Sequence, residues 1–522
     1  MPIIGKLLKR GIQLRQSLEQ HYGNPFDLQK TELKQLLLTA KDTHFGRYYG
    51  FTRLLSQFKD PHPEAFYEAY RSQVPIFDYN KIYNAWWHRL REGEKHVTWP
   101  GKVKYFALSS GTSEASSKYI PVTKDMLNAM QRVSVRQVLT LPRYDLPESL
   151  YTKGILMLGG STSLSKHDYY YEGDLSGITV SQLPYWLYSF YKPGRRIARE
   201  RDWDRKLQEI TLQAHRWDIG VIVGVPAWLQ MLLEKIIDHY GLKTIHDIWP
   251  NLRIFIHGGV ALTPYLKTFE RLCARPLTYI ETYLASEGFV AFRTRPGVAG
   301  MQLMLNNDIF YEFIPFTERN FTPDGNLVDN PETLMIHQVE PDKEYALLLS
   351  TCAGAWRYLI GDVVKFTDLA ESEIIITGRT KHFLSLCGEH LSVDNMNQAI
   401  QLLAEDLNTE INEFTVAGLS HQTLFAHHWY IGIDHEVDTR EVKTKLDSYL
   451  KALNDDYRTE RSAALTEVIV TLLPNRLFLE WMHQRGKIGG QHKFPRVLKG
   501  KVREDWTAYL QQQGIEGDLI PK

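Results

Sequence analysis

Between Gly154 and Thr377, short apolar, β-rich runs alternate with stretches of helical periodicity, and this rhythm constrains the fold more than any other feature of the chain. The runs are Ile155 to Leu158, Ile219 to Val225, Leu252 to Ile256, Leu277 to Tyr283 and Tyr345 to Leu349. Strands buried on two faces read as unbroken apolar runs, and strands separated by helices favour parallel pairing, so the expectation is an α/β fold with mixed sheets, flanking helices and a largely buried sheet. One helix is closely bracketed. Pro226 suits a first helical position and Gly241 a C-terminal cap around Trp228 to Tyr240. Thr263 ahead of Pro264 predicts a capped helix running from Tyr265 to Cys273. Between Asn306 and Thr333 the pattern breaks into polar turns, with Asp324-Gly325 as a hairpin turn.

After Gly378 the order becomes helix (Ser392 to Leu407), strands (Phe414 to Gly418 and Trp429 to Ile433), helix (Arg440 to Leu453), strand (Val468 to Leu472) and a polar tail. This predicts a large N-terminal domain over residues 1–378 and a small α+β domain over residues 379–522, joined near Thr380 and Lys381. A ligand site between the two domains is the expectation. Lys plus Arg and Asp plus Glu each number 61, which leaves no electrostatic footprint for nucleic acid or an acidic membrane surface. Three scattered cysteines, Cys273, Cys352 and Cys387, supply neither a disulfide framework nor a zinc site, and they point to a reducing cytoplasm. The opening residues from Met1 to Arg10 read as an amphipathic helix, and no apolar run is long enough for a membrane span.

Three stretches carry chemistry. Leu108-Ser-Ser-Gly-Thr-Ser-Glu-Ala-Ser-Ser-Lys118 follows an apolar run and is rich in hydroxyls that can face phosphate oxygens, with Lys118 as a point charge. It lacks the Walker A spacing. Thr282-Tyr-Leu-Ala-Ser-Glu-Gly-Phe289 puts Glu287 at the C-terminal end of a strand, where open α/β sheets bind ligands and a carboxylate can hold magnesium. In Ala353-Gly-Ala-Trp-Arg-Tyr-Leu-Ile-Gly-Asp-Val-Val364, Asp362 can accept hydrogen bonds from ribose hydroxyls. Taken singly, these have ordinary readings as a solvated loop, a surface or capping carboxylate, and a tight turn. Two further patches are Gly258-Gly259, which permit close backbone approach to a flat ring, and the basic segment Gly486 to Arg496. His427 and His428 have no metal-ligand partners at a telling spacing and read as surface or edge residues. Tyr169 to Tyr171 and Leu183 to Tyr188 read as rim or core packing, with an acyl pocket as the alternative.

The order and spacing of these patches resemble the acyl acid amido synthetases of the Gretchen Hagen 3, or auxin-responsive, family within the adenylate-forming enzymes. Asp42 to Phe51 and Val74 to Tyr79 look like its N-terminal signatures, Ser109 to Ser113 like its phosphate loop, Tyr283 to Glu287 like its second motif and Trp356 to Asp362 like its third. Gly490 to Arg496 looks like its lysine-bearing C-terminal segment. The resemblance implies ATP and Mg2+, with a carboxylic acid and an amino acid as partners. By this carry-over Ser109, Ser110, Gly111, Thr112 and Ser113 hold ATP phosphates and Gly258 and Gly259 line the adenine. Tyr283, Ala285 and Ser286 belong to the nucleotide site, Glu287 ligates the metal, Asp362 binds ribose and Lys493 reaches the α-phosphate. Lys118 and Arg379 are further nucleotide-binding candidates. Departures occur at Glu114-Ala115, where more glycine is common, at Trp356, where Tyr is frequent, and at Leu359, where plant members often carry Arg. The segment Gly378 to Glu389 looks more like microbial members, so plant hormone acids are not implied. An acyl-CoA ligase and a catalytically silent nucleotide-binding protein remain the alternatives.

Overall fold

The computed structural model describes residues 23–110, 117–183, 188–259, 262, 265–322, 325–380, 383–389, 391–409, 411, 413–421, 424–485 and 494–515. The expected cap at Thr263-Pro264 and half of the Asp324-Gly325 turn lie outside these residues, as do most of Leu183 to Tyr188 and the N-terminal helix. Two compact units emerge from the contacts. One comprises the chain up to Leu108 together with Tyr119–Thr380, and the other comprises Ser109–Lys118 together with the chain from Lys381 onward.

In the first unit, strands β1 (Tyr105–Ser110), β2 (Ser117–Val122), β4 (Ser165–Lys166) and β5 (Tyr171–Gly173) form a four-stranded sheet in the order β2-β1-β5-β4. The larger sheet has eleven strands: β3 (Gly154–Met157), β6 (Tyr191–Lys192), β7 (Ile219–Val223), β8 (Ile254–Gly258), β9 (Thr278–Ala285), β10 (Gly288–Phe292), β11 (Met301–Leu303), β12 (Ile309–Pro315), β13 (Glu344–Thr351), β14 (Tyr358–Asp368) and β15 (Glu373–Arg379). Their order is β12-β13-β14-β15-β11-β10-β9-β8-β7-β3-β6. The β6-β3-β7-β8-β9 segment is parallel throughout, as the alternating strands and helices predict. The remaining strands pair antiparallel. The helix after β7 runs Pro226–Tyr240 with Pro at its start and Gly241 in the left-handed conformation at φ 61, so the bracketing residues act as read.

The two N-terminal signatures act as packing clamps on the third motif. Thr43 caps the short helix His44–Tyr48 by accepting from the Gly46 amide, and a Cβ at Gly46 would lie 2.1 Å from the Ala40 carbonyl oxygen. That crowding restricts the position to glycine. Phe45 then stacks on Trp356 at 5.7 Å and 18°, and Phe51 meets the same indole edge-on at 4.8 Å. Farther along, the Phe77 amide donates to the Arg357 carbonyl at 2.9 Å and the Leu359 amide to the Phe77 carbonyl at 2.8 Å.

Arg357 has φ 41 and sends its side chain into the core, where it and Glu312 are 5% and 1% exposed. Its Nε lies 3.0 Å from each Glu312 carboxylate oxygen, and Nη1 donates to the carbonyls of Arg71 at 2.9 Å and Val74 at 2.8 Å. Nη2 donates to Thr333 Oγ1 at 3.2 Å, and the Tyr67 hydroxyl reaches Glu312 Oε1 at 3.1 Å. The ion pair is thereby saturated with hydrogen bonds, which is the condition under which a buried charge pair is tolerated.

The second unit carries a four-stranded sheet in the order β20-β19-β18-β21, where β18 is Phe414–His421, β19 Leu424–Gly432, β20 Leu465–Leu473 and β21 Val497–Leu498; β16 (Phe383–Leu384) and β17 (Leu391–Ser392) form a separate pair. Ser392 caps the helix Val393–Asp406, and the helix Thr439–Leu453 follows β19. Two expectations change here. His427 and His428 are 0% and 3% exposed rather than on the surface, because β19 is an interior strand that starts five residues earlier than its apolar signal at Trp429. His427 Nε2 meets Glu389 Oε1 at 2.8 Å, and His428 Nε2 meets Thr471 Oγ1 at 2.8 Å. The tail expected to be polar contains the helices Asn475–Gln484 and Gly500–Gln512, whose Leu477, Phe478, Trp481 and Trp506 join one core cluster. Their apolar residues recur at helical spacing within polar sequence, which average polarity conceals.

Among the described residues, no helix is long and apolar enough to cross a membrane. Substituting Glu312→Ala strands the Arg357 charge, and a loss of about 3–5 kcal/mol is expected in urea unfolding followed by tryptophan fluorescence. A loss below about 1 kcal/mol, within the range of exposed pairs, would show that the pair is dispensable.

Candidate active site

Parallel strands of an open sheet present their C-terminal ends to ligands. β8 ends at Gly258, and a Cβ there would sit 2.5 Å from the Thr282 carbonyl oxygen and 2.7 Å from Thr282 Oγ1. Gly259 follows at φ 84 and is exposed. The first glycine is required by crowding and the second by conformation, and together they leave a bare backbone edge. The neighbouring β9 ends at Ala285, and a two-residue turn, Ser286-Glu287, returns the chain into antiparallel β10 with Ala285 opposite Gly288. Ala285 and Ser286 are half-buried, whereas Glu287 is 7% exposed, so this carboxylate is inside the protein rather than on its surface.

Tyr283 points from β9 toward β14, where its hydroxyl donates to Asp362 Oδ2 at 2.5 Å. Burial, then the charge of Asp362, push the Tyr283 phenol well above its ordinary pKa, so it stays a donor. Asp362 lies within β14 rather than in the tight turn its Gly-Asp context suggests, and it faces Arg379 of β15 in register. Arg379 Nε is 2.8 Å from Asp362 Oδ1, and Nη2 donates to the Ile360 carbonyl at 3.3 Å. Gly361, at φ 94, supplies the backbone conformation just ahead of Asp362. An ionised carboxylate has about four acceptor positions, so Asp362 keeps capacity for further donors.

Tyr283 near the end of β9, Glu287 just beyond it, Asp362 in the first half of β14 and Arg379 at the end of β15 are thus gathered together. Tyr358, which the sequence reading did not single out, is 1% exposed, and burial, then the Glu287 charge, push its phenol well above the ordinary value. Tyr358, Ile360 and Asp362 alternate along β14, and alternate positions of a strand share a face. Ser109 is half-buried near the end of β1, Ser110 closes that strand, and Lys118 is half-buried in β2. Gly111, Thr112, Ser113 and Lys493 lie outside the described residues.

His257, immediately before the glycine pair, is 2% exposed with neither ring nitrogen hydrogen-bonded. Burial, with Arg293 as a second cause, presses its pKa from 6.5 to about 4, so it is neutral at pH 7. Among the described residues no cluster of three or more His, Cys, Asp or Glu side chains forms a metal cage. A single buried carboxylate at Glu287 nevertheless fits Mg2+, which takes one or two carboxylates and completes its shell with waters and substrate phosphates.

Known proteins share both fold and sequence with this chain. An AtGH3.15 acyl acid amido synthetase in complex with 2,4-DB superimposes with a TM-score of 0.56 at 17% identity, covering 98% of this chain and 96% of that one. A 2-hydroxyisobutyryl-CoA ligase in its thioesterification state gives 0.57 at 11% identity, over 93% and 91%. The fold is therefore that of the adenylate-forming ligases. Profiles for the GH3 family N-terminal, central and C-terminal domains match residues 14–191, 302–376 and 394–501 in that order. The chain belongs to the GH3 family. Among curated relatives, the indole-3-acetic acid-amido synthetase GH3.4 of Arabidopsis thaliana is 22% identical, covering 92% of this chain and 90% of that protein. The jasmonoyl--L-amino acid synthetase GH3.5 of Oryza sativa subsp. japonica is 24% identical over 58% and 63%.

A histidine with a lowered pKa takes up its proton more readily in the unfolded chain, so the stability it permits is complete above pH 6.5 and is lost as pH falls toward about 4. The full loss is roughly 3 kcal/mol, at about 1.4 kcal/mol per pH unit. His257→Leu should therefore flatten the fall in urea midpoint between pH 7 and pH 5, and an unchanged acid limb would assign it to other groups.

Proposed function

We propose that this chain activates a carboxylic acid with ATP as an acyl-adenylate and then passes the acyl group to an amino acid, forming an amide. The observation that carries the reading is the cluster of Tyr283, Glu287, Asp362 and Arg379 in a GH3 family fold. The names of the amido synthetase relatives support the acid-to-amine direction.

In this reading the substrate carboxylate attacks the α-phosphorus of ATP and pyrophosphate leaves. The amine then attacks the mixed anhydride and AMP departs. Meeting of two anions is the main barrier to the first step, and the groups arranged here answer it locally, since the net charge of the whole chain gives no help. Asp362, held by Tyr283 and Arg379, offers acceptors to the ribose hydroxyls and fixes where the nucleotide lies. The bare edge at Gly258-Gly259 admits the adenine ring. Ser109 to Ser113 and Lys118 provide donors for the phosphates, and Lys493 supplies a cation at the α-phosphate. Glu287 would hold Mg2+, which when bound neutralises phosphate charge. Three free cysteines, all buried, suit a reducing cytoplasm.

Purified protein is expected to release pyrophosphate in the presence of Mg2+, ATP and a suitable carboxylic acid from a broad panel, and to form an amide when amino acids are added. The fold is shared with a CoA ligase, so CoA belongs in the same acceptor panel. A thioester in place of the amide would favour that second activity, and ATP binding without acid-dependent release across the panel would count against both. Lys493→Ala should keep ATP binding while slowing adenylate formation by about 10² to 10³, the scale of removing one electrostatic donor. Wild-type pyrophosphate release in that variant would remove Lys493 from the chemistry.

A further inference from the structure

Two strands flank the hydroxyl-rich segment from Ser109 to Lys118: β1 leads into it through Tyr105–Ser110, and β2 leads out of it from Ser117. Such a segment can present donors in one geometry only if both strands are fixed in relation to each other. Arg91, the last residue of the short helix His88–Arg91, is half-buried and reaches toward both. Its guanidinium lies over the Tyr119 ring of β2, with Cζ 3.6 Å from the ring centroid. Nε and Nη2 donate to the Tyr170 hydroxyl at 3.1 and 2.8 Å, and Nη1 donates to the Tyr83 hydroxyl at 2.6 Å.

These contacts carry through to β1. Tyr170 immediately precedes β5, which pairs with β1 in parallel with Tyr171 opposite Tyr105, and the Tyr170 ring meets Phe106 of β1 edge-on at 5.0 Å. On the β2 side, the Tyr119 amide donates to the Tyr79 hydroxyl at 2.8 Å, and the Tyr79 ring stacks on that of Tyr83 at 5.4 Å. One cation thus joins the strand entering the segment to the strand leaving it. A guanidinium suits this place because its flat face stacks on a ring while its edge donates in several directions, which a lysine ammonium does not do.

We propose that Arg91 is a positioning residue for the nucleotide phosphates, setting through Tyr119 and Tyr170 the relative placement of the two strands that carry the phosphate-facing segment. This rests on Ser109 to Ser113 and Lys118 as the phosphate-binding groups of the proposed adenylation. Displacing positioned groups by about 1 Å can cost about 10²-fold in rate, even when the altered residue is far from the chemistry.

Arg91→Met removes the planar charge and keeps a side chain of similar reach. Binding of ATP with Mg2+, followed by calorimetry, should weaken by about tenfold or more. Adenosine, which offers the base and ribose to Gly258-Gly259 and Asp362 but has no phosphate, should bind as it does to the wild type. Tyr170→Phe, which loses a single oxygen, should show the same selectivity in smaller measure. A general packing defect would instead weaken ATP and adenosine alike and would overturn the proposal. So would wild-type ATP affinity in Arg91→Met beside a clear loss in the double variant Ser110→Ala with Lys118→Ala. If that double variant itself binds ATP as wild type does, the phosphate role of the segment falls first and the positioning role of Arg91 falls with it.

Discussion

Desolvating a guanidinium and a carboxylate is costly, and the cost is tolerated only where each charge finds a full set of partners. Arg357 and Glu312 meet that condition by recruiting groups from three parts of the chain. Glu312 comes from β12, Thr333 from the segment beyond it, and the carbonyls of Arg71 and Val74 from the N-terminal helical region. The pair thus fastens the segment around Arg71 and Val74 to the sheet. Because Tyr358 is the next residue and Asp362 lies on the same strand, this core junction runs directly into the cluster of Tyr283, Asp362 and Arg379.

The polar cluster is ordered by local partners rather than by the charge of the whole chain. Asp362 is flanked by a tyrosine hydroxyl and a guanidinium, and Glu287 is buried beside a second tyrosine. Such groups gain strength from the low dielectric around them, and they are oriented before any ligand arrives.

Much of this was legible in the sequence, for reasons that also explain the failures. The apolar runs around Ile219, Ile254 and Thr278 announced parallel strands because continuous hydrophobicity is what a doubly covered strand requires. Close backbone approach at Gly258 was legible, since a Cβ there would meet Thr282, whereas Glu287, whose ordinary reading is a surface or capping carboxylate, is buried. Tyr358 escaped because a buried aromatic in an apolar run looks like packing. His427 and His428 were misjudged since an interior strand can bury polar side chains once partners such as Glu389 and Thr471 are supplied by other segments. The terminal helices were hidden by their charged faces, although Trp481 and Trp506 are part of the core.

The division of labour within Trp356 to Asp362 has an evolutionary consequence. Trp356, Arg357 and Tyr358 lie in the interior, whereas Asp362 joins Tyr283 and Arg379, and all four fall inside a single stretch of seven residues. A descendant that abandoned ligation would still be under pressure to keep the indole and the guanidinium, along with Phe45, Gly46 and Phe77 that pack upon them. Family signatures would survive in it almost intact. The residues whose loss would betray such a retired enzyme are the few that the fold can do without, Glu287 foremost among them.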